Sequence, residues 1–309
     1  MGTSDFAIPS LEALDKSKHQ VVAVVTVPDK RAGRGRKLTP SHINNSAMNF
    51  EYPIFQPEDL SNPTFIENIK DCYADLFVVV AFRILPKILF SIPKYGSINM
   101  HPSLLPQYRG AAPIQRAIMN GETKTGITTF QISKKVDAGN ILLQKEYPIS
   151  INDTTGNLWK RFSVEGAKMI VETLDRIEAK EISEIIQITN TSLKAPKIQK
   201  EDCQIDWKDN ATVIHNKIRA LDPKPGAYTL LNGNKVKLFQ SISLTNNNFK
   251  EELQLKPGEI KCYNEHLLIG TGDGIVKIEE IQFEGKRRLT LREFLLGYSK
   301  IGGETFDNK

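Results

Sequence analysis

Two side chains able to do chemistry lie two residues apart in this sequence, the amide of Asn99 and the imidazole of His101. Residues 97–100 form a predicted strand, which ends at Pro102 because proline has no amide hydrogen for a sheet. Side chains two apart on a strand point to the same face. Open α/β sheets bind ligands at the carboxyl ends of their strands. The pattern predicts either a functional pair or a strand end where both residues only cap the loop.

A third polar residue, Asp137, lies in a turn between two predicted strands. These strands cover residues 125–132 and 141–147, and Asp137 and Gly139 form the tip between them. An aspartate in a turn most often caps the local backbone. The turn alone therefore does not assign chemistry to Asp137.

Basic side chains crowd into the segment at residues 30–37, and two glycines separate the arginines. Such spacing lets several guanidinium groups reach phosphates on an irregular backbone. A solvated surface loop is an equally good interpretation of the segment taken by itself.

The composition limits the class of protein. The chain has 309 residues, a net charge of +5 and 25% charged residues, which is typical of globular domains and permits a polyanionic partner. Three separated cysteines argue against a disulfide framework and a zinc site, and they suit a reducing cytosol. Neither an apolar run of about 18 residues nor a targeting presequence is apparent.

The elements that must position these residues alternate along the first part of the chain. Residues 20–27 and 75–81 are β-branched runs typical of strands buried in a parallel sheet, and helical segments separate them. We predict an α/β fold for a first domain at residues 1–186, followed by a linker at 187–203. Several short strands within residues 204–309 predict a small open barrel of the oligonucleotide-binding type. A stabilising or dimerising appendage is the alternative for that second domain.

The stretch INMHPSLLPQYRGAAPIQ at residues 98–115 resembles the signature of the folate-dependent formyltransferases. Five further blocks match in the family's order over nearly the whole chain: residues 2–6, 28–35, 137–141, 205–207 and 270–274. The resemblance implies a Rossmann-like formyltransferase domain followed by an OB-like barrel that helps to bind tRNA. It also implies that an apolar strand precedes residue 2 in the family. We therefore expect either that the true start lies upstream or that this form, without the first strand, is less stable and inactive.

The resemblance also implies site residues. The family's catalytic residues correspond to Asn99, His101 and Asp137, and an aromatic residue near the entry to the site corresponds to Phe6. The folate-contacting loop corresponds to Ser103, Leu104, Leu105 and Pro106. The predicted tRNA contacts are Arg31, Arg34, Arg36 and Lys37 in the basic loop and Lys286, Arg287 and Arg288 in the barrel.

The implied reaction uses 10-formyltetrahydrofolate as co-substrate and a charged initiator methionyl-tRNA as acceptor, with no metal. Asn99 and a protonated His101 can donate to the formyl oxygen, and Asp137 can orient the imidazole or move the proton of the amine. We expect a monomer in the cytoplasm, bacterial rather than organellar.

Three alternatives remain at this point. A formyltransferase acting on glycinamide ribonucleotide or an amino-sugar nucleotide would share the same site. A non-catalytic RNA-binding protein would use the basic loop and the barrel. A dinucleotide-dependent oxidoreductase is disfavoured because no G-x-G-x-x-G follows a strand.

Overall fold

The computed structural model describes residues 1–32, 37–188, 192–244, 253–263, 266–297 and 301–307. The chain divides into two compact units. The first comprises Met1–Ala111, Thr125–Tyr147 and Trp159–Ala195, and the second comprises Ala112–Lys124, Pro148–Leu158 and Pro196–Lys309. The domain boundaries proposed from the sequence, at residues 186 and 203, stay predictions.

Alternating elements build the chain, as the sequence pattern predicts. The strands are β1 (Val24–Val25), β2 (Lys30–Ala32), β3 (Lys37–Thr39), β4 (Ile54–Phe55), β5 (Phe77–Val79), β6 (Ser97–His101), β7 (Arg109–Gly110), β8 (Lys124–Gln131), β9 (Ile141–Pro148), β10 (Lys194–Ala195), β11 (Ala227–Leu231), β12 (Asn234–Leu244), β13 (Ile260–Tyr263), β14 (His266–Gly270), β15 (Ile275–Phe283) and β16 (Leu289–Thr290). The helices are α1 (Ile8–Asp15), α2 (His42–Asn49), α3 (Pro63–Lys70), α4 (Lys87–Phe90), α5 (Pro113–Met119), α6 (Thr155–Glu178), α7 (Ala211–Ala220) and α8 (Leu291–Gly297).

Helix starts follow local chemistry. Before α3, the side chain of Asn62 accepts a hydrogen bond from the amide of Phe65, and Pro63 occupies the first turn, where its missing amide hydrogen costs nothing. Buried Phe65, Ile66 and Ile69 give α3 one apolar face.

The central sheet of the first unit has the strand order β5-β6-β8-β9, in which β5 and β6 are parallel and β8 is antiparallel to β6. Strand β1 pairs in parallel with β4. Between these two groups lies Met1–Gly2: the Gly2 amide donates to the Val25 carbonyl at 3.0 Å, and the Val80 amide donates to the Met1 carbonyl at 2.9 Å. The predicted α/β, Rossmann-like character of this unit is confirmed.

A cavity of about 360 Å³ lies beside Met1 within this unit. Its walls include apolar residues that precede β1 and β5, such as Val21 and Leu76, and Leu11 of α1. The amine of Met1 donates to the Val78 carbonyl at 2.7 Å, and burial lowers the pKa of this amine to about 5. In the unfolded chain the amine has its ordinary pKa of about 8. Between pH 8 and pH 5 the unfolded chain therefore binds a proton that the native chain does not, so stability falls as pH falls.

We expect an extension of five apolar residues before Met1 to raise the stability of the first unit. The extension converts the buried amine into an amide and supplies apolar side chains to the cavity. In the 309-residue chain, the free energy of unfolding should fall by about 2 kcal/mol between pH 8 and pH 6, as a pKa lowered by three units requires. In the extended chain this dependence should disappear, and Tm should rise at both pH values.

Thermal and denaturant unfolding at pH 6 and pH 8 measure the effect. A Gly-Ser-Gly-Ser-Gly extension is the matched control, because it removes the buried amine without filling the cavity. It should abolish the pH dependence and raise Tm less than the apolar extension. Equal Tm values for all three chains at pH 6 would show that neither the amine nor the cavity limits stability. The strand that the resemblance places here stays a prediction.

The second unit is a closed sheet around its own core. Its strand order is β11-β12-β15-β14-β13, with β16 beside β15. Residues 303–307 close the sheet, since the Ile260 amide donates to the Glu304 carbonyl and the Asp307 amide donates to the Leu230 carbonyl, both at 2.9 Å. The buried ring of Trp207 stacks on Phe306 with 5.5 Å between ring centroids. The predicted small barrel is confirmed, although the closing segment was not predicted.

Among the described residues, none of the helices combines the length and apolar character needed to cross a bilayer.

Candidate active site

Strand β6 carries the two side chains that the sequence singles out. Asn99 pairs with Val79 of β5 on one side and Phe130 of β8 on the other. His101 is the last residue of β6 and only 5% exposed. The strand lies between two neighbours, and its alternation places both side chains on one face, as predicted.

The surroundings of His101 determine which ring nitrogen carries hydrogen. Nε2 lies 2.9 Å from the carbonyl oxygen of Tyr108, which accepts hydrogen bonds only, so Nε2 is the donor. Nδ1 lies 4.0 Å from Oδ2 of Asp137. A neutral imidazole in this position therefore has a free lone pair on Nδ1, on the side of the Asp137 carboxylate.

Burial lowers the pKa of His101, and the charge of Asp137 offsets only part of this effect. At neutral pH the free protein therefore holds the imidazole in its neutral form. A donor role for His101 at the formyl oxygen needs the protonated ring, which desolvation disfavours in the free protein. In the neutral ring, Nδ1 can accept a proton, and Nδ1 can donate a hydrogen bond only after it has accepted one.

Asp137 does more than cap its own turn. Its Oδ2 accepts a hydrogen bond from the amide of Gly110, 27 residues away, at 3.0 Å. Its backbone lies in the left-handed region with φ of 52°, which is strained for a residue with a side chain. The structure thus brings the turn between β8 and β9 to the end of β6, where the carboxylate faces His101.

The loop at residues 103–106, which the resemblance assigns to folate binding, has backbone hydrogen bonds to Thr128 and Gln144. The sequence did not indicate either residue. The hydroxyl of Thr128, fully buried on β8, donates to the Ser103 carbonyl at 2.6 Å and accepts from the Leu105 amide at 3.2 Å. The amide nitrogen of Gln144 donates to the Leu105 carbonyl and to Thr128 Oγ1, both at 2.9 Å. The signal in the sequence is the pair Thr128 and Thr129 in the buried part of β8, between Ile127 and Phe130.

Three of the buried polar atoms that have no partner among the described residues follow the ends of adjacent strands. The hydroxyls of Thr3 and Ser4, just after the Gly2–Val80 bridge, and Nε of Arg83 are buried, and the described residues offer them no hydrogen-bond partner. Such groups are satisfied by ligand or water. This donor set fits a polar co-substrate such as a reduced folate.

Phe6 is 3% exposed, and its ring packs on Trp159 with 4.6 Å between centroids. The structure therefore gives it a packing contact inside the first unit. Its assignment to the entry of the site stays a prediction.

The basic segment at residues 30–37 forms a hairpin in its described part, where β2 and β3 pair from Lys30 opposite Thr39 to Ala32 opposite Lys37. Arg31 is exposed on β2. Arg34 and Arg36, and the side chain of Lys37, lie outside the described residues. Their contacts with tRNA stay predictions.

The basic edge of the barrel is largely paired with carboxylates. Arg288 bonds to Asp222 at 2.9 and 3.1 Å and also contacts Glu280. Arg287 pairs with Glu293 at 2.8 Å. Lys286 is exposed. We infer that Arg288 stabilises the barrel through Asp222, which is 4% exposed, and the tRNA contacts of these three residues stay predictions.

One group of metal-ligating side chains occurs among the described residues, formed by His19, Asp175 and Glu178. The ammonium of Lys18 pairs with Asp175 at 3.3 Å and Glu178 at 2.7 Å, so this group has a cation already. The prediction that the reaction uses no metal stays a prediction.

Comparisons with known proteins agree along the whole chain. Two family models match, "Formyl transferase" over residues 1–174 and "Formyl transferase, C-terminal domain" over residues 197–299. The methionyl-tRNA formyltransferase of Geobacter metallireducens is 41% identical over 299 residues, which cover 96% of this chain and 94% of that protein. That of Syntrophus aciditrophicus is 39% identical over 305 residues, covering 98% and 96%.

Solved structures share the fold at lower identity. An N-formyltransferase from Helicobacter canadensis, in complex with folinic acid and dTDP-3-aminofucose, has a TM-score of 0.65 at 23% identity and covers 90% of this chain and 96% of its own. HypX from Aquifex aeolicus, in complex with tetrahydrofolic acid, has a TM-score of 0.61 at 24% identity and covers 83% and 44%. At these identities the likeness shows the fold alone.

Proposed function

Because the chain belongs to the formyl transferase family and matches methionyl-tRNA formyltransferases along its whole length, we propose that Asn99, His101 and Asp137 carry out its reaction. That reaction transfers the formyl group of 10-formyltetrahydrofolate to the α-amine of methionyl-tRNA. The predictions of the family, of the co-substrate and of enzymatic activity are confirmed. The roles of the individual residues are the proposal.

The observation that carries these roles is the pairing of His101 with Asp137 at the end of β6. Nε2 of the imidazole is fixed by the Tyr108 carbonyl, and Nδ1 lies 4.0 Å from the carboxylate. A buried base with one free nitrogen beside a carboxylate suits proton transfer at neutral pH.

The loop at residues 103–106 would hold the co-substrate, together with the partnerless hydroxyls of Thr3 and Ser4. When bound, 10-formyltetrahydrofolate supplies the formyl group. The folate nitrogen that releases the formyl group takes up a proton. The support for this location is the rigid seating of the loop on Thr128 and Gln144 and the buried donors at the same sheet edge.

Each of the three side chains has a distinct task. The amide of Asn99 donates to the formyl oxygen as negative charge develops there, which stabilises the transition state. Nδ1 of His101 accepts the proton that the attacking α-amine must lose, and the imidazolium returns it to the leaving nitrogen. Asp137 stabilises the imidazolium during this interval by its charge. The amine is itself the nucleophile, so none of these residues needs to form a covalent bond.

Formylation assays with three acceptors test the function. The chain should formylate charged initiator methionyl-tRNA, and glycinamide ribonucleotide and a dTDP-amino sugar should give rates no higher than the reaction without protein. Formylation of a small amine in preference to the tRNA would move the chain to that branch of the family. Binding of tRNA without formylation would support the non-catalytic alternative.

We expect Arg34→Ala to weaken methionyl-tRNA binding and to reduce its salt dependence. Each phosphate contact that is lost lowers the slope of log K against log salt by about 0.7 to 0.9. Binding measured from 50 to 300 mM KCl gives the slope, and KM for the folate should stay within about twofold. Arg176→Ala is the matched control, since it removes an arginine paired with Glu172 on α6. Equal slopes for wild type and Arg34→Ala would remove this residue from the tRNA interface.

We further propose that the acceptor is the initiator tRNA and that the chain acts as a monomer in the bacterial cytoplasm. The three free cysteines, of which only Cys203 is fully buried, support a reducing compartment. Light scattering at micromolar concentration tests the oligomeric state.

A further inference from the structure

Gln187 lies at the start of the predicted linker, and its side chain binds the turn that carries Asp137. Its side-chain nitrogen donates to the carbonyl oxygen of Asp137 at 3.1 Å and to that of Gly139 at 2.6 Å. Its side-chain oxygen accepts from Nε and Nη2 of Arg109 at 3.1 and 2.6 Å. The orientation of the amide is fixed, because two acceptors lie at one end and two donors at the other.

We propose that Gln187 is a positioning residue, which holds the turn carrying Asp137 at the distance from His101 that proton transfer requires. This role rests on the proposed functions of His101 and Asp137, and it adds Gln187 to the three residues proposed for the reaction.

The turn needs an external support. Asp137 has a left-handed backbone, with φ of 52°, which aspartate adopts more readily than most residues with a side chain but less readily than glycine. Gly139 packs so closely that a Cβ there would lie 1.6 Å from the Gln131 carbonyl oxygen. The two hydrogen bonds from Gln187 satisfy carbonyls on both sides of the tip and so select this conformation.

Gln187 also connects the turn to the strand that orients the carboxylate. Arg109 and Gly110 form β7, and the Gly110 amide donates to Asp137 Oδ2. The Gln187 nitrogen thus binds the Asp137 backbone, and the Gln187 oxygen binds Arg109 of β7. The next residue of β7, Gly110, binds the Asp137 side chain. Both the backbone and the carboxylate of Asp137 are therefore connected to β7.

The segment around Gln187 is itself fastened to the first unit. Ile185 exchanges backbone hydrogen bonds with Ile141, at 2.8 and 2.9 Å, and β10 pairs with β7 a few residues later. The Tyr108 amide donates to the Leu193 carbonyl at 2.7 Å. Gln187 therefore reaches the turn from a segment held on both sides, which a positioning role requires.

Gln187→Glu is the sharpest test, because it removes both donors and keeps the shape and the acceptors for Arg109. We expect kcat to fall about tenfold or more, since a small displacement of a catalytic group is costly. KM for each substrate should change less than threefold, and Tm should stay within about 2 °C because the Arg109 contact remains. The negative charge that Gln187→Glu adds would by itself move the acid limb of the pH–rate profile to higher pH, so a movement to lower pH would show that the Asp137 charge has moved away from His101.

A double-mutant cycle with Asp137→Asn separates this inference from the proposed function. If Gln187 acts through Asp137, Gln187→Glu should cost less than twofold in the Asp137→Asn background. Gln131→Ala, which removes a glutamine of β8 whose side-chain nitrogen donates to the Tyr95 carbonyl at 3.4 Å, is the control and should keep wild-type turnover.

Two results would overturn the inference while leaving the proposed function in place. One is an unchanged kcat in Gln187→Glu with a strong loss in Asp137→Asn. The other is an equal loss from Gln187→Glu in both backgrounds, which would mean that it acts elsewhere. A wild-type rate in Asp137→Asn would instead remove Asp137 from the reaction, and the role of Gln187 with it.

Discussion

His101→Asn should lower kcat for formylation of methionyl-tRNA by at least about 100-fold, the range expected when a general base is removed. Asparagine places its amide near the position of Nδ1, loses the hydrogen bond from Nε2 to the Tyr108 carbonyl and cannot take up a proton. KM for the tRNA and for the folate should change little, because the imidazole acts on the reacting groups and its neighbours hold the substrates. Single-turnover measurements with saturating substrates give the effect on the chemical step.

The pH dependence distinguishes a base from a simple donor. Burial lowers the pKa of His101 below its ordinary 6.5, so the active neutral form persists into mildly acidic solution. The acceptor amine has its own titration near pH 8, which every variant shares. The titration of the amine therefore cancels in the ratio of the wild-type rate to the His101→Asn rate. This ratio should be constant from pH 8 down to the lowered pKa of His101 and should decrease below that pH.

His215→Asn is the matched control for a buried histidine. His215 bonds to Ser241 and to the Ile151 carbonyl in the second unit, and burial also lowers its pKa. This variant should lower Tm and keep turnover per folded molecule within about twofold. A His101→Asn variant that is stable and retains more than a third of wild-type turnover would falsify the proposed role of the imidazole.

Asp137→Asn should also lower kcat by about 100-fold, through loss of the charge that stabilises the imidazolium. The asparagine oxygen still accepts from the Gly110 amide, so the turn should keep its conformation and Tm should change little. Since Asp137 raises the pKa of His101, its loss should move the acid limb to lower pH while the maximum rate falls. Rate profiles from pH 5 to pH 8 measure both changes.

The control for Asp137 is Asp175→Asn, which removes a carboxylate paired with Lys18 on the surface of the first unit. It should leave kcat unchanged. The double variant His101→Asn, Asp137→Asn should be no slower than the worse single variant, because the two residues act as one unit. Full additivity of the two losses would contradict the proposed pairing.

Several features of the fold follow from local sequence alone. The β-branched runs at residues 20–27 and 75–81 predict buried strands, although the hydrogen-bonded strands β1 and β5 are shorter. The break at Pro102 places His101 at the end of β6. The ordered motif blocks predict the family. These features depend on backbone periodicity, on proline and on short-range patterns, which neighbouring residues determine by themselves.

The chemical state of the site was not predictable in this way. Which nitrogen of His101 carries hydrogen depends on the Tyr108 carbonyl, and its lowered pKa depends on burial by several segments. The bond from Arg288 to Asp222, 66 residues away, links a residue that is predicted to contact tRNA to a buried carboxylate of the second unit. Distances and desolvation arise from packing between remote segments, for which a single sequence has no local signal.

The sequence by itself therefore predicted the residue types of the proposed site, the shared face of Asn99 and His101 on β6, and the family to which the chain belongs. Only the tertiary structure decided that the Asp137 carboxylate lies 4.0 Å from His101. It also decided that Gln187, in a segment that reads as a linker, holds the Asp137 turn. The physical reason is that side-chain alternation is a property of one strand. The site instead requires Asp137, 36 positions after His101, and Gln187, 50 positions after Asp137, to fold onto one strand end.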